Sequence, residues 1–96
     1  MYKLSQAAAM DIEIILERSV IDFGLTQTEQ YYHSMKNCLG LLAGNPGMGN
    51  AADDIRAGYR RFPHQSHVIF YTVSESGIFI VRILHKSMDI AEHLDE

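Results

Sequence analysis

An α+β fold is what this sequence predicts: an antiparallel sheet of about four strands, an N-terminal two-helix hairpin packed on one face, and a short C-terminal helix. Two observations predict it. Apolar residues recur at helical spacing through the first half of the chain, and the second half changes to β-branched and aromatic runs separated by turn residues. The 96 residues suit one domain, 1–96.

Tyr2–Leu4 reads as a short strand, and Ser5 as the cap of the helix that follows, its hydroxyl accepting from a free backbone N–H. Ala8, Ile12, Ile15, Ser19 and Phe23 then form a helical stripe that Leu16 and Val20 widen, and Gly24 ends it. Thr26 and Glu29 are spaced as a capping box for a second helix. That helix carries Tyr31, Met35, Leu39 and Leu42 on one side, with Tyr32 and Cys38 beside them, and stops near Gly44-Asn45-Pro46-Gly47. Two amphipathic helices joined this tightly form an antiparallel pair.

Residues 44–54 read as a flexible loop; their glycines lack the spacing of a phosphate cradle. Ile55–Phe62, His67–Val73 and Ile78–Leu84 read as strands, with Pro63 as the break between the first two and Ser74–Gly77 as a four-residue hairpin loop between the last two. Ser87 is placed to cap a helix from Met88 to Leu94.

The overall charge of −4 is unevenly spread. Residues 1–54 carry −4, residues 55–87 carry +4, and residues 88–96, with Asp95 and Glu96 at their end, carry −4. The basic zone is Arg56, Arg60, Arg61, Arg82 and Lys86, and it either attracts phosphates or an acidic partner or simply solvates an exposed sheet face. Arg56 and Arg60 share a strand face in this reading, roughly 13 Å apart, while the adjacent Arg60 and Arg61 point to opposite faces. Arg82 lies in the apolar run Ile78–Leu84 and must either reach the open face or find an acceptor, because burying an unpaired guanidinium is costly. Strict alternation groups it with Ile80 and Leu84, and His85 with Val81 and Ile83.

A single cysteine, Cys38, rules out an internal disulfide and a cysteine-based zinc site, and fits a reducing cytoplasm. The five histidines show no ligand spacing, so no metal and no cofactor is expected. Met1–Ser5 does not open a signal peptide, and no stretch approaches the roughly 20 apolar residues of a membrane span.

Ile55-Arg56-Ala57-Gly58-Tyr59-Arg60-Arg61, His67-Val68-Ile69-Phe70-Tyr71, and Arg82-Ile83-Leu84-His85 followed by Met88-Asp89 together resemble the ParE branch of the ParE/RelE toxin superfamily. The resemblance covers nearly the whole length and implies the RelE-like fold and the toxin half of a type II toxin–antitoxin module. It implies a protein, read above as cytoplasmic, that inhibits DNA gyrase by binding. A ParD-like antitoxin would neutralise it in a hetero-oligomer, and operator DNA would be met only through that antitoxin. Arg56, Arg60, Arg61, Arg82, His85, Lys86, Met88 and Asp89 are then the target-binding candidates. The RelE branch instead cuts messenger RNA on the ribosome, and Arg61, Arg82 and His85 fall near the positions such a nuclease uses. Against it stand the sparse Lys and Arg and the absence of a tyrosine after Tyr71. Acid–base cleavage also needs a donor and an acceptor converging on one phosphodiester.

Overall fold

Ser5 fixes where the first strand ends and the first helix begins. Its hydroxyl accepts from the Ala8 N–H at 2.9 Å and donates to the Val81 carbonyl at 2.7 Å, tying the helix start to the sheet. In the computed structural model, which describes residues 1–94, the order is β1 (Tyr2–Leu4), α1 (Gln6–Phe23), α2 (Leu25–Gly44), a 3₁₀ turn (Pro46–Met48), β2 (Asn50–Ala51), β3 (Arg60–His64), β4 (His67–Ser74), β5 (Gly77–His85) and α3 (Ile90–Leu94). The sheet runs β1-β5-β4-β3-β2, with β1 parallel to β5 and the other pairs antiparallel. The helical hairpin packs on one face through Ala8, Met35, Cys38, Leu39 and Leu42 against Ile69, Tyr71, Ile78, Ile80 and Ile83. A second cluster on the other face joins Phe70, Leu84 and Leu94, with Ile55, Tyr59, Val68, Val81 and Ile90 packed around them.

The helix junction differs from the capping-box expectation. Gly24, at φ +88°, ends α1 and directly precedes α2, whose start has no side-chain cap. Thr26 is therefore already helical, and the hydroxyl in use is that of Thr28, which bonds the Gly24 carbonyl at 2.8 Å and the Ser19 hydroxyl at 2.9 Å. A one-residue joint leaves no room for a separate cap. The apolar stripe of α1 is buried only in its first part, and Phe23, at its end, is 63% exposed.

The second half also departs from expectation. Residues 55–59 are not strand: the Asp53 carboxylate accepts the Gly58 N–H at 2.8 Å, Gly58 adopts φ +84°, and the segment turns so that Ile55 and Tyr59 meet the second cluster. Pro63 is not a break but pairs with Val68 inside β3. The turn beyond it is Gln65–Ser66, so His64 and His67 exchange the ladder bonds and the Pro63 nitrogen points to the outer edge, where β2 no longer runs. Residues 44–54, read as a loop, contain the 3₁₀ turn and β2, giving the sheet a fifth strand. The C-terminal helix begins at Ile90, two residues later than read. Asp89 rather than Ser87 stands at its start, its carboxylate facing the Glu92 N–H at 3.5 Å.

Strict alternation fails on β5. Tyr71 pairs with Ile80 and Phe70 with Arg82, so Val81 has no partner on β4 and forms a bulge. The phase shifts there: Ile80 and Ile83 both face the helices, and Leu84 joins the opposite cluster with Val81.

Candidate functional site

Arg82 is consumed inside the molecule. Its Nε and Nη2 form a bidentate pair with the Asp11 carboxylate at 2.8 and 2.9 Å, and the same carboxylate accepts the Ile83 N–H at 3.0 Å. Nη1 donates to the His93 carbonyl at 3.0 Å, so one guanidinium joins α1, β5 and α3. Of the two options the sequence left for Arg82, the internal acceptor is the one the fold uses, and Arg82 does not belong to an outward binding surface. Asp11 was not among the candidate residues. Its signal lay in the pattern: a carboxylate within the apolar face of α1, three residues after Ala8, demands a cation.

Arg60 and Arg61 take opposite faces, as adjacent strand residues must. Arg60 pairs with Tyr71 and lies on the helix side, where Nη2 donates to the Gly49 carbonyl. Arg61 pairs with Phe70, faces the other way, and sits 3.8 Å from Asp54, the two side chains 38% and 64% exposed. Arg56 lies in the turn rather than on a strand, exposed, with its guanidinium 6.0 Å from the Tyr59 ring centre. The paired display of Arg56 and Arg60 expected from a continuous strand therefore does not form. Lys86 is exposed in the link between β5 and α3, its N–H donating to the Ser66 carbonyl at 2.9 Å, and His85, Met88 and Asp89 are exposed in the same stretch. Among the described residues, Arg56 and Lys86 are the members of the basic zone whose side chains neither hydrogen-bond to a carboxylate or carbonyl nor stand in an ion pair. The acidic end, Asp95 and Glu96, lies outside the described residues.

The histidines form the other notable group, which the sequence reading scattered. His64, His67 and His85 are cross-strand neighbours on the helix side of the sheet end. The Tyr31 hydroxyl lies 2.6 Å from His67 Nδ1, Ser34 Oγ lies 3.2 Å from His64 Nε2, and the His67 and His85 rings meet edge-on at 5.3 Å. The Ser87 N–H donates to His85 Nδ1 at 3.1 Å. Burial, reinforced by His85 and His64, pushes His67 down to about 4, although Asp11 acts in the opposite sense. Burial likewise lowers His64 and, with Cys38 adding, raises Tyr31 to about 12. The Tyr31 hydroxyl thus keeps its proton and shares a hydrogen bond with a neutral His67.

A pH dependence follows. A base whose pKa is depressed by folding binds more protons when unfolded, so its contribution is whole above about pH 6.5 and is lost as pH falls toward 4. Allowing for the partial exposure of His67, the loss is about 1–2 kcal/mol. Urea melts at several pH values are expected to show it in the parent protein, and His67→Gln to flatten that part of the profile. Identical pH profiles for the two proteins would contradict this.

Arg61, Arg82 and His85 do not converge. Arg61 faces one side of the sheet, His85 stands on the other beside His67, and Arg82 is bound to Asp11 between them. No single phosphodiester can be reached by all three. Among the described residues no group of three or more His, Cys, Asp or Glu is arranged to hold a metal ion, and no helix is long and apolar enough to cross a membrane. Between α2 and β3 lies an open groove of about 640 Å³, lined by Ser34, Cys38, Leu41, Met48, Phe62 and His64 among others.

The family model for the ParE toxin of type II toxin–antitoxin systems, parDE, matches residues 2–90. Toxin ParE1 of Mycobacterium tuberculosis is 39% identical over 94 residues, covering 97% of this chain and 96% of its own. Toxin ParE1 of Caulobacter vibrioides is 38% identical over 93 residues with the same coverage. Among solved structures, the chromosomal ParDE toxin–antitoxin system from P. aeruginosa superposes with a TM-score of 0.76, covering 88% of this chain and 92% of that one; at 20% identity it speaks for the fold.

Proposed function

The chain belongs to the ParE toxin family of type II toxin–antitoxin systems, and from that premise we propose that it inhibits DNA gyrase by binding it, in the cytoplasm, and is neutralised by a ParD-like antitoxin. ParE toxins are not enzymes. The observation that carries the reading for this chain is the separation of Arg61 and His85 onto opposite faces of the sheet, with Arg82 tied to Asp11 between them. This arrangement suits gripping rather than cutting.

The contact surface we propose is the exposed set Arg56, Lys86, Met88 and Asp89, with Arg61 at its margin. Arg56 and Lys86, which among the described residues stand in no ion pair, keep their attraction for an anionic assembly of protein and DNA. Purified toxin is expected to inhibit gyrase supercoiling. The double variant Arg56→Glu/Lys86→Glu should need roughly tenfold more protein for half-inhibition, with an unchanged melting temperature. Equal potency of variant and parent would remove this surface from the proposal, and full supercoiling at an excess of the parent toxin would remove the gyrase reading itself.

A further inference from the structure

The outer face of the sheet, opposite the helical hairpin, carries an exposed aromatic ring in a polar row. Phe79 on β5 is 42% exposed, with Lys3 beside it on β1 and Thr72 opposite it on β4. All three point outward, because their neighbours Tyr2, Tyr71, Ile78 and Ile80 pack toward the helices. Tyr59, the residue before β3, stands on the same face in the second cluster, and the Arg56 guanidinium lies 6.0 Å from its ring centre. With strands about 4.8 Å apart, the row from Lys3 past Phe79 and Thr72 to Tyr59 is roughly 14 Å long. It has a cation at each end and rings between them.

Charge and shape select the occupant. Lys3 and Arg56 are exposed, and among the described residues neither stands in an ion pair. Asp53 and Asp54, close to Arg56 in sequence, are engaged by the Gly58 N–H and by Arg61. The exposed carboxylates Glu13, Glu17, Asp22 and Glu29 are carried by the helices, behind the sheet. This face therefore attracts anions although the chain as a whole is acidic. A partner helix would need an apolar stripe, whereas Phe79 is flanked by Lys3 and Thr72. A flat ring between cations fits a base stacked on it, with phosphates drawn to either side. A duplex keeps its base faces covered, so the strand that this face can hold is an unpaired one.

We propose that the outer sheet face binds a single strand of nucleic acid, one base stacking on Phe79 and the flanking phosphates meeting Lys3 and Arg56. The contact is sequence-tolerant, since every base offers a flat face. It goes beyond the gyrase reading and does not depend on it.

The probe is a dye-labelled oligothymidylate of about twelve nucleotides, titrated with the full toxin chain and followed by fluorescence anisotropy. An oligouridylate and a DNA duplex of the same length are the comparison arms, and no gyrase is present. Saturable binding with a Kd on the order of 10–100 μM is expected in about 50 mM salt. The logarithm of affinity should fall against that of salt with a slope of about −1.4, the value for two phosphates. Phe79→Thr, which keeps a strand-favouring residue, should weaken binding at least about fivefold at an unchanged melting temperature, and Phe79→Tyr should bind like the parent. Lys3→Gln/Arg56→Gln should weaken binding and remove most of the salt slope. Binding of oligothymidylate, oligouridylate or both at this strength bears the platform out, and their ratio names the natural strand. Duplex binding as tight as that of the single strand, or parent-like affinity of Phe79→Thr, would overturn it. So would the absence of binding by the parent toxin at about 1 mM.

Discussion

Asp11→Ala is expected to lower stability by about 3–5 kcal/mol, the cost of stranding a buried guanidinium. The two side chains are only 10% and 15% exposed, and the carboxylate serves three donors at once. Its loss uncouples α1 from β5 and leaves the Ile83 N–H unpaired. For a domain of this size that is a large share of the total stability, and the melting temperature should fall by more than about 10 °C. Replacing both partners, as in Asp11→Leu/Arg82→Met, should recover much of the loss, because no isolated charge remains. Urea melts of the three proteins check this. A single variant within about 1 kcal/mol of the parent would show that the pair does not hold the fold.

Tyr71→Phe is expected to cost about 2–3 kcal/mol. The ring is fully buried, and its hydroxyl donates to the Pro46 carbonyl at 2.7 Å and accepts the Gly49 N–H at 2.9 Å. This one oxygen fastens the 3₁₀ turn and the approach to β2 onto β4, and removing it leaves a buried donor and an acceptor unpaired. Gly49 is part of the same closure, since a Cβ there would lie 2.8 Å from the Arg61 carbonyl. Hydrogen exchange at the Gly49 amide should accelerate in the variant along with the loss of stability. An unchanged exchange rate would mean that the loop is held by other contacts.

The parts of the fold legible in the sequence are those written in local chemistry. Ser5, Gly24 and the stripe Met35–Leu39–Leu42 each announce themselves within a few residues and stand where they were read, and the hairpin before Gly77 does too, though its loop is two residues rather than four because Ser74 and Gly77 pair. The parts missed depend on partners far along the chain. β2 is two residues held by pairing with Arg60 and Arg61, with no pattern of its own. The Val81 bulge exists because β4 and β5 must match registers on either side of it, and a run of apolar residues hides the phase change. Residues 55–59 look like a strand by composition, but the Asp53 carboxylate and Gly58 turn them. Thr26 and Glu29 have the spacing of a cap, yet the one-residue joint at Gly24 had already started the helix. For the site, the basic zone was visible but its disposition was not. Arg82 and Arg60 find their acceptors 71 and 11 residues away, distances over which sequence pattern carries no register. The histidine array is likewise a product of strand pairing, bringing residues 64, 67 and 85 side by side.

A toxin that acts as proposed holds its target and leaves RNA intact. Brief induction of the toxin, followed by primer extension on cellular messages and gel analysis of plasmid supercoiling from the same cells, tests this most directly. The expected result is full-length messages together with relaxed or cleaved plasmid. Messages cut at discrete positions while the plasmid stays fully supercoiled would contradict it.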